Sequence, residues 1–109
     1  MASTFQLRTA ADGQYYFNLT AENSQIILTS EMYKARPAAL NGIVSVRTNA
    51  PIAERFERRK SSDGKDYFVL KAANHEIIGT SEMYSSTAAM ENGIRAVMRV
   101  AAAAPVVEG

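Results

Sequence analysis

The residues of this chain best suited to chemistry are two glutamates set in copies of one phrase. Glu31 stands in Thr29-Ser30-Glu31-Met32-Tyr33, and Glu82 in Thr80-Ser81-Glu82-Met83-Tyr84. A carboxylate does acid–base or nucleophilic work when a partner lies within hydrogen-bond reach and its surroundings shift its pKa. The neighbours expected here are Ser30, Tyr33 and Asn41 in one copy, and Ser81, Tyr84 and Asn92 in the other. None is a strong base. The favoured expectation is therefore structural: each glutamate accepts hydrogen bonds from backbone N–H groups between strand and helix, its charge near the positive helix start. A deep polar cleft beside Glu31 or Glu82 would revive a catalytic role, and a flat surface would not. Asn41 and Asn92 are poor helix-interior residues and are expected to bond a loop backbone.

His75 is the only histidine, and the chain has no cysteine. A metal site needs three or four converging ligands, so no metal, cofactor or catalytic residue is expected, and His75 reads as a solvated turn residue. Without cysteine there are no disulfides, which fits a reducing compartment.

A second constellation is a surface. Alternation along the strands places Arg8, Tyr16, Asn18 and Thr20 on one sheet face, joined by Arg59, Tyr67, Val69 and Lys71. Aromatic and basic groups on an open sheet can stack bases and hold phosphates of single-stranded nucleic acid. The competing account is a half-wet face of cross-strand tyrosine pairs and arginine stems. That account is favoured, because there are only two candidate stacking rings and a net charge of +1. The densest basic run, Arg55, Arg58, Arg59 and Lys60, is interrupted by Glu54 and Glu57. Ile26, Leu28 and Ile77 are expected on the same open side, where an uncovered apolar patch would mark a protein interface or a homodimer.

The elements that must position these groups come from a duplication. Shifting the sequence by 51 residues, without a gap, pairs Phe5 with Phe56, Tyr16-Phe17 with Tyr67-Phe68 and Asn41-Gly42-Ile43 with Asn92-Gly93-Ile94, with about half the positions identical. Residues 5–9 alternate apolar and polar, as a half-buried strand does. Asp12-Gly13, like Asp63-Gly64, suits a hairpin turn that needs positive φ. Residues 15–21 form a second strand and 25–30 a third. From Pro37 the period becomes helical. Gly42 and Gly93 cost up to ~1 kcal/mol inside a helix, so their recurrence suggests a helix lying too close to the sheet for a larger side chain. The second copy repeats the course, its first strand more charged and so nearer an edge. Residues 106–108 could form a final strand.

Each unit is thus βββα, too short to bury much alone. Two copies in one chain can share a sheet, place both helices on one face, and adopt an approximate two-fold axis. The 109 residues make one domain: repeat one at about 5–50, repeat two at about 56–101, and a tail at 102–109. The apolar fraction of 47% and charged fraction of 21% are ordinary for a soluble protein. With neither a secretory signal nor an apolar run of membrane length, a cytoplasmic location away from membranes is expected.

The Asp-Gly turn followed by a Tyr-Phe strand, then Ile-Ile-x-Thr-Ser-Glu-Met-Tyr and Asn-Gly-Ile, resembles the YegP-like family of small bacterial proteins, a domain of unknown function. The likeness covers about Phe5 to Ala101 and is most specific from Ala72 to Tyr84. It implies a β(3)-α-β unit, as a tandem pair or a dimer of single units, in one continuous sheet with the last strands exchanged. The exchanged strands would be Pro51 to Arg55 and Pro105 to Glu108. It implies no activity, cofactor or catalytic residue.

The expected fold is α+β, with two βββα(β) repeats sharing one antiparallel sheet. The expected core is Phe5, Leu7, Phe17, Leu19, Ile27, Ile43 and Val46, with Phe56, Phe68, Leu70, Ile78, Met90, Ile94 and Val97. A small non-enzymatic binding or protein-interaction module is the leading functional reading. Weak single-stranded nucleic-acid binding comes second and an enzyme third.

Overall fold

The computed structural model of the chain describes residues 2–108. In chain order it runs β1 (Phe5–Thr9), β2 (Tyr15–Thr20), β3 (Ile26–Thr29), α1 (Arg36–Asn49), β4 (Phe56–Lys60), β5 (Asp66–Lys71), β6 (Ile77–Thr80), α2 (Thr87–Val100) and β7 (Val106–Glu108). The βββα unit is present twice. All seven strands join one sheet in the order β4-β5-β6-β3-β2-β1-β7. The third strands of the two units therefore meet in the middle, where β3 runs antiparallel to β6 and Thr29 faces Thr80. These threonines hold the same position in the two copies, so the approximate two-fold axis passes between them.

Local chemistry accounts for the connections. Gly13 and Gly64 take φ of 84° and 83° in the first hairpin of each copy. The second hairpins use the same left-handed position without glycine, at Ser24 (φ 69°) and His75 (φ 70°). Asn23 and Asn74 steady those turns, their side chains accepting from the backbone N–H of Gln25 and Glu76 at 3.1 Å. Pro37 occupies the first turn of α1, which has no side-chain cap, whereas Ser86 caps α2 by accepting from the Ala89 N–H at 3.1 Å.

Every residue expected in the core is buried. Phe5, Phe17, Leu19, Ile43 and Val46 from the first repeat share one apolar cluster with Phe56, Phe68, Leu70, Ile94 and Val97 from the second. Each such side chain contributes about 1.5–3 kcal/mol when removed from water, and half of that supply comes from each copy. The helices knit the halves together. α1 lies over β2 and reaches β6, while α2 lies over β5 and reaches β3.

Three details differ from expectation. β7 joins β1 in parallel, with Phe5 opposite Val106, so the sheet is mixed. A strand reached through a helix has no hairpin to impose antiparallel entry. Residues 53–55 form a single 3-10 turn, because the link from Pro51 folds back on itself (the Ile52 N–H donates to the Asn49 carbonyl at 3.0 Å). Only the second of the two expected exchanges occurs: β7 follows α2 and pairs with β1 of the first copy, whereas the segment after α1 forms no strand and β4 pairs with β5 within its own copy. Finally, Leu28 is not on the open side. A register shift between Leu19 and Thr20 sets Leu28 opposite Leu19 and turns it into the core, fully buried, while Ile26 stays exposed.

Candidate functional site

The strand-to-helix phrase is held by its serines, not by its glutamates. The Phe17 N–H donates to Ser30 Oγ at 2.9 Å, and Ser30 Oγ donates to the Glu31 carbonyl at 2.8 Å. Ser81 repeats both bonds with Phe68 and Glu82 at the same distances. Ser30 and Ser81 are buried, so each fills an acceptor role that no water could readily take. Glu31 and Glu82 are exposed, and among the described residues neither side chain has a hydrogen-bond or ion-pair partner. The helix-entry role expected of them falls to the serines, whose hydroxyls are short enough to bond the backbone beside them. Asn41 and Asn92 are exposed as well. Among the described residues neither bonds a loop backbone; Asn92 accepts from Arg95 one turn along α2.

Tyr33 and Tyr84 are placed by backbone bridges to the starts of β2 and β5. Tyr33 exchanges two 2.7 Å bonds with Tyr15, and Tyr84 is bonded likewise to Asp66. Each ring stacks on a core phenylalanine, Tyr33 on Phe17 and Tyr84 on Phe68, with centroids 6.4 Å apart. The hydroxyl end of each ring meets a helix at glycine. A Cβ on Gly42 would lie 2.8 Å from Tyr33 Cζ, and one on Gly93 would lie 2.7 Å from Tyr84 Cζ. The close approach expected at both glycines is real, and a tyrosine ring fills it. Partial burial, then the nearby Glu31 or Glu82 charge, raises both phenol pKa values above the usual 10.

Beside Tyr84 the structure opens a cleft of about 530 Å³. One wall is the β2–β3 turn of the first repeat, with Glu22 and Ile26. The other comes from the second repeat: Glu82, Met83 and Tyr84, then Asn92 and Arg99 on α2. Both copies are needed to make it. Arg99 donates to both Glu22 oxygens, at 3.0 and 2.9 Å, and this bond holds the Glu22 carboxyl down at about 2. Nothing in the spacing of Glu22 and Arg99 announces that contact, since they belong to different copies and neither has an equivalent in the repeat. Of the three charges in the cleft, those two cancel and Glu82 stands alone.

On the predicted sheet face Arg8 lies opposite Tyr16 and Arg59 opposite Tyr67, but Thr20 and Val69, expected there too, are buried. Its charges are largely spoken for. Glu57 takes ion pairs from both Arg59 and Lys71, and these bonds lower its pKa. Among the described residues Arg8 bonds only neutral groups, the Gln6 side chain and Asn18 Oδ1 (3.0 Å for the latter). Asn18 also donates to Thr29 Oγ1 at 2.9 Å and is buried. The basic run along β4 is paired too: Arg58 with Glu91 and Lys60 with Asp66. His75 is an exposed turn residue, and among the described residues no three His, Asp or Glu side chains converge as metal ligands. Among the described residues no helix is long and apolar enough to cross a membrane.

Comparison with known proteins gives a consistent picture. The family model described as a domain of unknown function, DUF1508, matches twice, at residues 10–57 and 61–108. A UPF0339 protein of Mannheimia succiniciproducens is 54% identical over 98 residues, covering 90% of this chain and 87% of the relative. The UPF0339 protein YegP of Escherichia coli K12 is 50% identical over 97 residues, 89% of this chain and 88% of that one. Among solved structures, the solution structure of a UPF0339 protein from Shewanella oneidensis superposes with a TM-score of 0.92 at 46% identity, covering 99% of this chain and 92% of that chain. The solution structure of E. coli yegP, described as a protein of unknown function, gives 0.93 at 45% identity, covering all of this chain and 94% of that one.

Proposed function

The chain belongs to the DUF1508 family, and from that premise we propose that it is a small non-enzymatic binding module whose site is the cleft between the β2–β3 turn and α2. The observation that carries this reading is joint construction: residues of both repeats, Ile26 and Glu22 from one and Glu82 to Tyr84 and Asn92 from the other, line a single concavity. Its size falls within the range of small-molecule sites. The cleft beside Glu82 is the setting in which a catalytic role would revive, but among the described residues Glu82 has no partner, and acid–base chemistry needs a second group in hydrogen-bond reach, which favours binding over turnover. Arg99 is held by Glu22 and so is not free to stabilise a developing negative charge.

The test is a fragment screen on the isotopically labelled full chain, followed by backbone amide shifts. Shift changes gathered at residues 22–27, 82–84 and 92–99 are expected. Changes scattered over the surface, or none, would oppose the site. Chemical conversion of a bound fragment would oppose the non-enzymatic reading.

Single-stranded nucleic-acid binding on the sheet face is the second reading, favoured by Arg8, whose side-chain partners are both neutral. It ranks lower because Arg59 and Lys71 converge on one carboxylate. Titration with a fluorescent oligonucleotide at low salt decides it, with no binding tighter than ~100 μM expected.

A further inference from the structure

We propose that the cleft takes a ligand ending in an ammonium or guanidinium group on a short apolar stem, such as a small aliphatic amine or a lysine side chain; this rests on the binding-module reading above. Three features converge on that chemistry. Glu22 and Arg99 neutralise one another at one end of the cleft. Glu82 is left as its single uncompensated charge, with no bond to any described residue. An anion entering the cleft meets that carboxylate with no free cation to offset it, whereas a cation gains a charge-assisted hydrogen bond.

The walls suit the stem. Met83 and Ile26 line the same cleft and are 50% and 38% exposed, so both present apolar surface that a ligand can cover. A methylene chain lying between them would cover both, and the methionine can adjust its shape to do so. The two-fold mate of this arrangement differs. Its equivalents of Glu22 and Arg99 are Ala73 and Thr48, so no ion pair closes that side, and Glu31 serves as an internal control.

The probe is Nα-acetyl-lysine N-methylamide, compared with its norleucine counterpart of similar shape and no charge, and with sodium acetate. Amide shifts of the full chain are followed to about 10 mM ligand, a range that captures millimolar dissociation constants. The lysine derivative is expected to shift residues 22–27, 82–84 and 92–96, with the norleucine form about tenfold weaker. Glu82→Gln should weaken the lysine derivative by a similar factor and Glu31→Gln should leave it unchanged. Cadaverine separates the two ligand sources: equal binding points to a free amine, and weaker binding to a side chain with its flanking backbone. Equal binding of the lysine and norleucine forms, an unaffected Glu82→Gln variant, or no shift at all would overturn the proposal. If neutral fragments still occupy the cleft, only the charge preference has failed; if nothing occupies it, the binding site itself has.

Discussion

Arg99, near the end of the second helix, donates two hydrogen bonds to Glu22 in a turn of the first repeat, at 3.0 and 2.9 Å. The bond spans the seam between the copies and closes one end of the cleft. Its pH signature follows from the carboxylate. Glu22 titrates at about 2 in the folded chain and near 4.5 when unpaired, so the folded state binds fewer protons in that interval. The stabilisation is complete above about 4.5 and is lost as pH falls toward 2. Urea midpoints measured across this window should fall less steeply for Glu22→Gln than for the parent chain. The difference should shrink in high salt, because both side chains are about half exposed. Parallel curves would contradict it.

Gly93 tests whether the ring of Tyr84 holds the helix at its distance. In an exposed helix, Gly→Ala gains about 1 kcal/mol. Here the new Cβ would sit 2.7 Å from Tyr84 Cζ, and overpacking of that kind costs about 1–3 kcal/mol. Gly93→Ala should therefore lower stability in urea denaturation. Made in a Tyr84→Ala background, the same change should raise it.

Ser81→Ala removes the acceptor of the buried Phe68 N–H, and an unsatisfied buried donor costs about 1–3 kcal/mol. Ser30→Ala should cost a similar amount by the two-fold relation. Glu82→Gln, by contrast, should be nearly silent in stability, since its carboxylate bonds none of the described residues. Thermal unfolding of the three variants separates these roles, and a larger loss at Glu82 than at Ser81 would restore the helix-entry role to the glutamate.

Much of this architecture was legible because it is periodic or repeated. The shift of 51 residues gave the two units. The alternation of Phe5 with Leu7 and Phe17 with Leu19 picked out the core face, and Gly42 with Gly93 marked the close helix. What escaped reading has a physical reason in each case. Leu28 was placed on the wrong face because a register shift in β2–β3 breaks the period of two that the inference assumed. Glu82 seemed the bonded residue of its phrase because it is the charged one, yet geometry favours the shorter Ser81. Ser24 and His75 hide turns of positive φ that glycine would have advertised. The cleft itself was illegible, since its walls come from different copies and Glu22 and Arg99 lie far apart in sequence.

The claim beneath all of this is that neither copy has an interior without the other, and one pair of residues tests it most directly. Leu28 and Gly79 occupy the same position in the two repeats, across the two-fold axis, and a Cβ on Gly79 would lie 2.7 Å from Leu28 Cγ. There is room for one leucine there. Gly79→Leu alone should cost about 1–3 kcal/mol or more by overpacking, and Leu28→Gly alone about 2–5 kcal/mol by leaving a cavity. The exchanged double variant refills the same space from the other side. Its urea denaturation should show a coupling of about 2 kcal/mol or more and a stability close to that of the parent. Simple addition of the two losses would mean that the leucine and the glycine do not share a core, and the seam on which the cleft depends would not exist.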